Sequence, residues 1–371
     1  MSSMWGQTLK IALFGQSHSE GLGVVVDGLP VGEAVDMEQV RRFLQRRAGG
    51  RAGISTPRKE SDEPRVLSGL VNGVTCGAPL CAVFDNANAH SADYEATKDI
   101  PRPSHADYTA HIKYGGHEDA RGGGHFSGRL TLPLCFAGAV CKQILSRRGV
   151  EIGAHIYAIS DIQDTPYDAV KVSAADFVFG TADTEASTAT QDAGAPFPAR
   201  DAAAGQKMIE AIKVAASQGD SLGGVVEAAA VGVPAGWGSP LFDNVESRLA
   251  SLLFAVPAVK GVEFGAGFAG STMTGSAYND AFCMDDGTVK TATNHCGGIL
   301  GGITNGMPLV FRVAFKPTPS IFKSQRSVNL STGEAVELTI KGRHDPCIVL
   351  RAVPCVEAAA AMALLDLMLS K

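Results

Sequence analysis

The C-terminal segment CVEAAAAMALLDLMLS at 355–370 restricts the fold more than any other part of the chain. Alanine, leucine and methionine favour a helix, and the apolar residues would occupy more than one face of it. No side of such a helix suits water, so other elements must cover it in the core or at a subunit interface. The longest apolar run before it, 130–141, is too short to span a bilayer. We therefore expect a core helix and no membrane contact.

Strand-like and helix-like segments divide the rest of the chain. The predicted strands, with period-2 or fully apolar character, are 9–14, 23–29, 65–71, 79–84, 150–159, 223–233 and 308–315. The predicted helices are 36–47 with Asp36 as N-cap, 105–114, 129–147 closed by Gly149, 201–217, 243–256 and 355–370. Because the strands cluster instead of alternating strictly with helices, they indicate an α+β fold with antiparallel sheets.

Two segments hint at an internal repeat. SEGLGVVVDGLPVG at 19–32 resembles DSLGGVVEAAAVGVPAG at 220–236, and each precedes a predicted helix. Two related halves explain this similarity, and a chance match of apolar strand and turn residues explains it equally well. No linker divides the chain, so we expect one domain over 1–371. The segment 160–200, rich in Ala, Asp and Thr, is expected to be a peripheral insertion.

Composition limits the class of function. The 371 residues are 45% hydrophobic, which suffices for a large core. A net charge of -6 argues against nucleic-acid binding, which needs a basic surface. The eight cysteines include no C-x-x-C pair, and the N-terminus lacks a basic segment followed by a long apolar run. These features predict a protein of the reducing cytoplasm.

The stretch RGGGHFSGR at 121–129 suggests an anion site. Three consecutive glycines allow backbone N–H groups to close on an anion, because no Cβ keeps the ligand away. An arginine stands at either end of the stretch. A flexible surface turn is the alternative interpretation, since glycine runs often mark loops.

Histidine and arginine recur beside turns elsewhere. His18, in FGQSHSEGLG at 14–23, is suited to act as a general acid toward a departing oxyanion, although a solvated loop histidine is the simpler alternative. Arginine's planar fork fits carboxylate and phosphate oxygens, so an arginine-rich loop at 45–60 indicates an anionic ligand or a solvated charged loop. Its arginines are Arg46, Arg47, Arg51 and Arg58.

Three further segments carry polar groups of the same kind. In RPSHADYT at 102–109, Ser104 is predicted to cap a helix and His105 to lie in its first turn, where the helix dipole lowers proton affinity. NHCGGILGGITNGMPLVFRVAFKPTPSI at 294–321 offers glycines for close backbone approach. It also offers donors suited to a phosphate or a flavin edge, Lys316, Thr318 and Ser320. GRHDPC places Arg343, His344 and Asp345 on one turn, as a proton relay or a structural ion pair.

Several common site motifs are missing from the sequence. It contains no H-E-x-x-H, no cysteine–histidine quartet, no Walker loop and no G-x-G-x-x-G at a strand-to-helix turn. We therefore expect no metal centre and no nucleoside-triphosphate chemistry. What remains is a small-molecule anion site that uses histidines for acid–base chemistry.

Together these motifs resemble one known family. FGQSHSEGLGVVVDGLP, RPSHADYT, KYGGHEDARGGG, NGMPLVFRVAFKPTPSI and GRHDPCIVLRAVPCVEA stand in the order and spacing of chorismate synthase, over essentially the full chain. The resemblance implies a lyase that converts 5-enolpyruvylshikimate 3-phosphate to chorismate and phosphate by anti 1,4-elimination, the last step of the shikimate pathway. It also implies reduced FMN as cofactor, with NADPH or a separate reductase as electron source. The family fold is an α+β sandwich of long helices between antiparallel sheets, usually in a homotetramer.

The resemblance also assigns roles to individual residues. His18 matches the histidine that protonates the leaving phosphate, His105 the one that supports the reduced flavin, and Asp345 the carboxylate that relays the ring proton. The implied substrate-binding residues are Ser17, Arg47, Arg51, Arg129 and Arg343. The implied cofactor-binding residues are His125, Phe126, Ser127, Pro257, Ala258, Gly298, Lys316, Pro317, Thr318, Pro319, Ser320 and Arg343.

Some positions depart from the family pattern. After the glycine triplet the family usually continues Arg-Ser-Ser-Ala-Arg-Glu-Thr, whereas this chain has His125, Phe126, Ser127, Gly128, Arg129, Leu130 and Thr131. Gln16, Ser19, Glu20, Ala48, Gly53 and Ser104 also depart from it, with Arg51 a candidate to compensate for Gly53. A lost charge-assisted hydrogen bond costs about 1.5–3 kcal/mol. The alternative is therefore a non-catalytic or altered paralogue that binds FMN or a phosphorylated acid. If His125 contacts an anion, affinity should fall as pH rises.

Overall fold

The computed structural model describes residues 3–51, 53–57, 60–86, 99–178, 197–340, 342 and 344–371. Its first half contains β1 (Met4–Trp5), β2 (Lys10–Gly15), β3 (Gly21–Asp27), α1 (Met37–Arg47), β4 (Arg65–Ser68), β5 (Leu70–Val71), β6 (Val74–Thr75), β7 (Leu80–Asp85), α2 (Asp107–Tyr114) and α3 (Thr131–Ser146). Five of these strands form an antiparallel sheet in the order β1-β2-β3-β7-β4. Apolar side chains of β2, β3 and β7 face its buried side.

The second half builds a similar sheet. It contains β8 (Glu151–Ile159), β9 (Ile162–Gln163), α4 (Ala202–Ser217), β10 (Gly224–Val231), α5 (Val245–Leu253), β11 (Val259–Phe264), α6 (Gly275–Tyr278), β12 (Phe282–Asp285), β13 (Thr288–Thr291), β14 (Ile299–Leu300), β15 (Ile303–Thr304), β16 (Leu309–Phe315), β17 (Gln325–Val328), β18 (Ala335–Leu338) and α7 (Val349–Leu369). The second five-stranded sheet has the antiparallel order β11-β16-β10-β8-β9.

The strand order supports two related halves. In sequence order, β2, β3, β4 and β7 correspond to β8, β10, β11 and β16, and both sets have the same spatial order, β2-β3-β7-β4 and β8-β10-β16-β11. A helix follows the central strand of each sheet, α1 after β3 and α5 after β10, and a long helix closes each half. The similarity between 19–32 and 220–236 therefore has a structural counterpart.

Two long helices, α3 and α7, lie between the two large sheets. Helix α3 packs on the first sheet through β2, β3 and β7, helix α7 packs on the second through β8 and β10, and the two helices pack against each other. One continuous hydrophobic cluster includes residues of both sheets and both helices. The predicted α+β sandwich with antiparallel sheets is confirmed.

The closest approach of α3 and α7 explains the alanine-rich C-terminus. A Cβ added to Gly138 would lie 2.2 Å from the Ala358 Cβ, so only small side chains fit between the two backbones. By length and hydropathy α7 could cross a membrane, but 89% of its most apolar window is buried inside the protein. This agrees with the expected core helix.

The predicted strands occur with ends shifted by a few residues, except that 65–71 divides into β4 and β5, which belong to different sheets. Asp36 caps α1 by accepting hydrogen bonds from Glu38 N and Gln39 N. Two helix predictions need correction. Ser104 does not cap α2, which begins at Asp107, and its own φ is 58°. Helix α7 begins at Val349 instead of 355, so Pro354 lies inside the helix near its N-terminus and does not precede its start.

The segment 160–200 is only partly peripheral. Residues 179–196 lie outside the described residues. Before them, β9 extends the second sheet, and Tyr167 is buried against Val310 of that sheet. The part of the insertion that the structure describes therefore contributes to the fold.

A buried ion pair joins the helix layer. The Glu357 carboxylate of α7, 1% exposed, accepts hydrogen bonds from Arg46 of α1 at 2.6 Å and from Lys142 of α3 at 2.5 Å. Burial by itself would raise the pKa of Glu357, but the charges and hydrogen bonds of Arg46 and Lys142 lower it to about 2. The carboxylate therefore remains ionised in the folded protein at any pH near neutrality.

This ion pair should make stability depend on pH. The folded-state pKa lies below the ordinary value of 4.5, so the stabilisation is complete above pH 4.5 and is lost as pH falls toward 2. The lowering of the Glu357 pKa corresponds to about 3 kcal/mol of folding stability at pH 7. We expect Glu357→Gln to lower the free energy of unfolding at pH 7, with a difference from the parent protein that shrinks as pH falls below 4.5. Urea unfolding between pH 7 and 3.5 measures this.

Glu210→Gln is the matched control, because Glu210 is an exposed carboxylate on α4. A difference between the Glu357→Gln variant and the parent protein that stays constant over this pH range would contradict the ion-pair interpretation.

Candidate active site

Loops from both halves of the chain surround one large cavity of about 1560 Å³ beside the start of α3 and α7. The structure brings most of the predicted site residues to its lining. These are Ser17, His18, Arg47, His105, His125, Phe126, Ser127, Arg129, Pro257, Ala258, Lys316, Thr318, Pro319, Ser320 and Asp345. Three predicted residues do not line it, namely Arg51, Gly298 and Pro317. Arg58 and Arg343 lie outside the described residues.

The glycine triplet packs against both predicted catalytic histidines. Gly122, Gly123 and Gly124 have φ values of 62°, 101° and 53°, which glycine adopts without strain. A Cβ on Gly122 would lie 2.3 Å from His18 Cε1, and a Cβ on Gly123 would lie 3.1 Å from His105 Cε1. Gly123 and Gly124 are buried, so the triplet is not a flexible surface turn. It allows the backbone to pass directly against the two imidazole rings.

His18 is held by its neighbours in the turn between β2 and β3. Its ring is 8% exposed, and Nδ1 lies 3.0 Å from the Ser17 hydroxyl. The Ser17 N–H donates to the Gly124 carbonyl at 3.0 Å, which ties this turn to the glycine triplet. Ser17 therefore orients the imidazole at the cavity wall.

His105 is oriented by a carboxylate rather than by a helix terminus. Its Nδ1 lies 2.5 Å from Asp107 Oδ1, and the Arg102 guanidinium donates to both carboxylate oxygens of Asp107. Burial by itself would raise the pKa of Asp107, but hydrogen bonds from Arg102 and His105 hold it well below its usual range. The expectation that His105 lies in the first helical turn is wrong, because α2 begins two residues later.

Two of the arginines in the cavity lining, Arg47 and Arg129, share the acidic partner Asp62. Arg47 Nη2 lies 2.9 Å from Asp62 Oδ2, and Arg129 Nη1 contacts Asp62 Oδ1 and lies 2.6 Å from Glu60 Oε2. Burial by itself would raise the pKa of Asp62, but the charges of Arg47 and Arg129 lower it. The Nε of Arg47 is buried and has no hydrogen-bond partner among the described residues. This donor is thus left for a ligand.

Sequence reasoning missed Glu60 and Asp62. The available signal is the acidic run ESDE at 60–63, which directly follows the arginine-rich loop. Oppositely charged runs so close together indicate pairing, but they do not show which arginines pair.

Arg51 belongs to the protein interior instead of the cavity. Its side chain is largely buried, and burial together with the nearby charge of Arg46 lowers its pKa to about 10. Its backbone N–H donates to Ser55 Oγ at 2.9 Å. The idea that Arg51 replaces an arginine at position 53 has no support in the described contacts. Gly53 has φ of 73°, a conformation that suits glycine and would strain an arginine.

Asp345 is fixed by a residue that sequence reasoning overlooked. Its Oδ1 accepts from the Thr56 N–H at 2.8 Å, and its Oδ2 lies 2.6 Å from Arg351 Nη1. Arg351 Nε donates to the Arg47 carbonyl at 2.8 Å. Arg351 therefore ties the predicted relay carboxylate to the end of α1. The only signal for it was its place in the quoted motif GRHDPCIVLRAVP.

The segment 316–320 supplies polar groups at another wall. The Lys316 N–H donates to the Ala258 carbonyl at 3.0 Å, and Lys316 Nζ donates to the Ser104 carbonyl. Ala258 and Ser104 have φ of 73° and 58°, values that strain residues other than glycine. The Thr318 hydroxyl is buried without a hydrogen-bond partner among the described residues. Such an atom is a natural contact for a bound polar group.

Two predicted cofactor residues near this wall have other surroundings. Pro317 is exposed and lies outside the cavity lining. Gly298 has φ of 86°, and a Cβ there would lie 2.5 Å from the Pro308 carbonyl oxygen. The backbone of the turn before β14 therefore explains why position 298 is a glycine.

His125 is engaged within the protein. Its Nδ1 lies 2.7 Å from the Gly15 carbonyl oxygen, and its Nε2 lies 2.7 Å from the Ser3 hydroxyl. Phe126 packs beside Tyr114 with ring centroids 6.2 Å apart. Contact between His125 and an anion through a ring nitrogen would break one of these bonds. The pH-dependent affinity expected from His125 therefore stays a prediction.

The packing of Gly122 on His18 gives a sharp test. We expect Gly122→Ala to lower kcat/KM by about 100-fold, because the methyl group would overlap the imidazole and displace it. Gly128→Ala is the matched control: Gly128 also lines the cavity, but a Cβ there meets no described atom within 4 Å. Steady-state kinetics and the thermal midpoint of both variants measure the effect. Equal activity of the two folded variants would show that the position of His18 is not critical.

Comparison with known proteins agrees with these observations. A family model described as chorismate synthase matches residues 9–369. The chorismate synthase of Lancefieldella parvula is 45% identical over 372 residues, covering 100% of this chain and 97% of the relative. That of Pyrococcus abyssi is 45% identical over 363 residues, covering 98% of this chain and 96% of the relative.

A solved structure described as a crystal structure of chorismate synthase has a TM-score of 0.74 at 26% sequence identity. The match covers 99% of this chain and 93% of that chain. Sequence and fold thus agree over nearly the full chain, and the chain belongs to the chorismate synthase family.

Proposed function

We propose that this chain is an active chorismate synthase, a lyase that removes phosphate and a ring proton from 5-enolpyruvylshikimate 3-phosphate to form chorismate. The observation that carries the proposal is the meeting of His18, His105 and Asp345 in one cavity. These residues come from three distant parts of the chain, and each is oriented by a hydrogen bond within the site. Membership in the chorismate synthase family supports the same reaction.

The charge of the cavity suits this substrate. The described lining contains six cationic side chains, Arg47, Arg102, Lys113, Arg129, Lys316 and Arg351, and three carboxylates, Glu60, Asp62 and Asp345. The substrate carries a phosphate and two carboxylates, so an excess of cations is required to hold it. Arg47 and Arg129 both pair with Asp62, whose carboxylate positions their guanidinium groups. Substrate oxygens would therefore compete with Asp62 for these two arginines.

The cavity also fits reduced FMN. The Thr318 hydroxyl, the Lys316 ammonium and the buried Ser320 hydroxyl lie together on one wall, where they would hold polar groups of the cofactor. His105, which Asp107 orients through a hydrogen bond, would contact the flavin ring system. The backbone carbonyl groups near Ala258 would contact it as well. When bound, reduced FMN supplies electron density that helps phosphate to leave and a ring nitrogen that can accept a proton. NADPH or a separate reductase would keep it reduced.

The chain's own residues supply the acid–base groups. His18 donates a proton to the departing phosphate oxygen, and Ser17 holds its ring in position. Asp345 accepts a proton on its carboxylate, and Arg351 with the Thr56 N–H keeps that carboxylate oriented. The backbone of the glycine triplet packs directly against both histidine rings and so limits their movement.

The test is an anaerobic assay with purified full-length protein, 5-enolpyruvylshikimate 3-phosphate and chemically reduced FMN. We expect equal amounts of phosphate and chorismate at many turnovers. Flavin binding without either product would reject the proposed activity and support the altered paralogue. Replacing reduced with oxidised FMN is the control, and it should abolish turnover.

We further infer a single domain, a homo-oligomer and a cytoplasmic location. One hydrophobic cluster joins both halves, which supports one domain. Large exposed apolar side chains suit contact with further copies of the chain; they include Leu241, Phe242, Phe268, Phe282 and Met284. All eight cysteines are free thiols, as expected in a reducing compartment. For the expected homotetramer, light scattering should give four times the chain mass of 38.5 kDa. The mass of a single chain would reject a homo-oligomer.

A further inference from the structure

Two buried thiols face each other at the edge of the cavity. Cys135 lies on α3 and Cys355 on α7, and their Sγ atoms are 3.7 Å apart. The side chains are 0% and 2% exposed, respectively, but Cys355 forms part of the cavity lining. Neither thiol has a role in the elimination described above.

The two helices are packed closely enough for a covalent bond between these residues. One turn further along both helices, Gly138 and Ala358 are in direct contact, so the backbones cannot move much closer there. A disulfide requires an S–S separation of about 2.0 Å. Formation of the bond would therefore have to bring the two sulfur atoms closer by rotation of their side chains, with little further approach of the helix backbones.

The surroundings make the two thiols unequal. A hydrogen bond from Cys135 lowers the pKa of Cys355 against the opposing effect of burial, and the nearby charge of Arg47 lowers it further. Burial raises the pKa of Cys135. The thiolate is the reactive form of cysteine. Cys355 has the lowered pKa and also borders the cavity, so a small oxidant would oxidise Cys355 first.

We propose that Cys135 and Cys355 form a reversible oxidation site, which hydrogen peroxide converts from two thiols to a disulfide that lowers activity. In the first step the Cys355 sulfur takes one oxygen of peroxide, giving a sulfenic acid and one water. In the second step the Cys135 thiol displaces that hydroxyl, giving the disulfide and a second water. The two thiols together lose two electrons and two protons, and peroxide is reduced to two waters.

A source of the oxidant follows from the proposed cofactor. Reduced flavin exposed to dioxygen releases hydrogen peroxide, so a chain that holds reduced FMN in the cavity that Cys355 borders would meet this oxidant whenever dioxygen is present. This part of the inference rests on the proposed function. The reaction of the thiols with added peroxide does not.

Oxidation should affect the anion site because Arg47 contacts the same region. Arg47 Nη1 donates to the Thr131 hydroxyl at 3.2 Å, and Thr131 begins the helix that carries Cys135. The Cys355 thiol donates to the Arg351 carbonyl at 3.3 Å, and Arg351 orients Asp345. Drawing the sulfur atoms together would shift both supports. We expect activity to fall by about tenfold, within the effect of a displacement near 1 Å.

The experiment treats the full-length protein, free of flavin, with hydrogen peroxide and then blocks remaining thiols with N-ethylmaleimide under denaturing conditions. Peptide mass spectrometry without reductant should find Cys135 linked to Cys355. The elimination assay should show the tenfold loss, and dithiothreitol should reverse both changes. In Cys135→Ala no link can form, so activity should resist peroxide. In Cys135→Ser, whose hydroxyl can still donate a hydrogen bond to Cys355, dimedone should trap the Cys355 sulfenic acid. Cys135→Ser also replaces Cys135→Ala if the alanine variant does not fold.

Cys141→Ala is the matched control, because Cys141 is equally buried on α3 and does not line the cavity. It should form the link as the parent does. Oxidation of the exposed Cys76 and Cys283 without a link between Cys135 and Cys355 would overturn the proposal. A link that leaves activity unchanged, or equal loss of activity in Cys135→Ala, would also overturn it. Because the thiol measurement needs no substrate, an inactive parent protein would reject the proposed function separately.

Discussion

Replacing His18 with asparagine is expected to lower kcat by about 100- to 10,000-fold, the range that a general acid contributes. The asparagine amide can still bond to the Ser17 hydroxyl, which contacts Nδ1 in the parent protein. It cannot, however, give up a proton to a departing phosphate oxygen. Phosphate release in a single turnover, with FMN affinity measured by titration, separates chemistry from binding.

The pH profile distinguishes acid catalysis by His18 from a positioning role. A general acid must be protonated, so the parent protein should lose activity on the alkaline side, and the His18→Asn variant should lack that limb. His117→Asn is the matched control, since His117 is exposed and does not line the cavity. If His18→Asn raised KM while keeping kcat and the alkaline limb, His18 would bind substrate without acting as the acid.

Replacing Asp345 with asparagine is expected to lower kcat by at least about 100-fold. The side chain would still offer an oxygen to the Thr56 N–H, but it would lose the charge that faces Arg351 and the ability to accept a proton. FMN affinity should change little, because the expected loss concerns proton transfer. Steady-state kinetics and flavin titration on the same preparation measure both quantities.

Two further variants sharpen this test. Arg351→Gln keeps the carboxylate of Asp345 but removes its 2.6 Å partner, so we expect an intermediate loss of kcat. Asp220→Asn removes an exposed carboxylate that pairs with Lys323 on the surface, and it should leave kcat unchanged. Normal turnover by Asp345→Asn would show that another group relays the proton.

Local patterns in the sequence were sufficient for most of the fold. Apolar runs located seven of the ten strands of the two large sheets and missed β1, β9 and β11. Asp36 was recognised as the cap of α1 because capping depends on residues close in sequence. The prediction for α7 was too short because proline usually ends a helix, whereas packing against α3 stabilises the turns around Pro354. Ser104 was misread because it has a positive φ before the helix begins, and its carbonyl accepts a hydrogen bond from Lys316, far away in the sequence.

The candidate site was predictable only in part. Motifs and the family resemblance singled out His18, His105 and Asp345 as candidates, and the structure places all three at the cavity. They did not show that Asp62 would pair with Arg129, 67 positions away, or that Arg351 would join Asp345 to the end of α1. Arg51 looked equivalent to Arg47 in the sequence, but its side chain does not line the cavity.

The sequence by itself determined the local elements, the family and the residue types available for anion and acid–base chemistry. These depend on short-range periodicity and on motifs that stay together along the chain. Only the tertiary structure decided which arginines are paired with carboxylates, how the glycine triplet meets both histidines, and that Cys135 lies beside Cys355. Such contacts depend on how the two large sheets and helices α1, α3, α5 and α7 pack, and side chains distant in sequence meet only when that packing is complete.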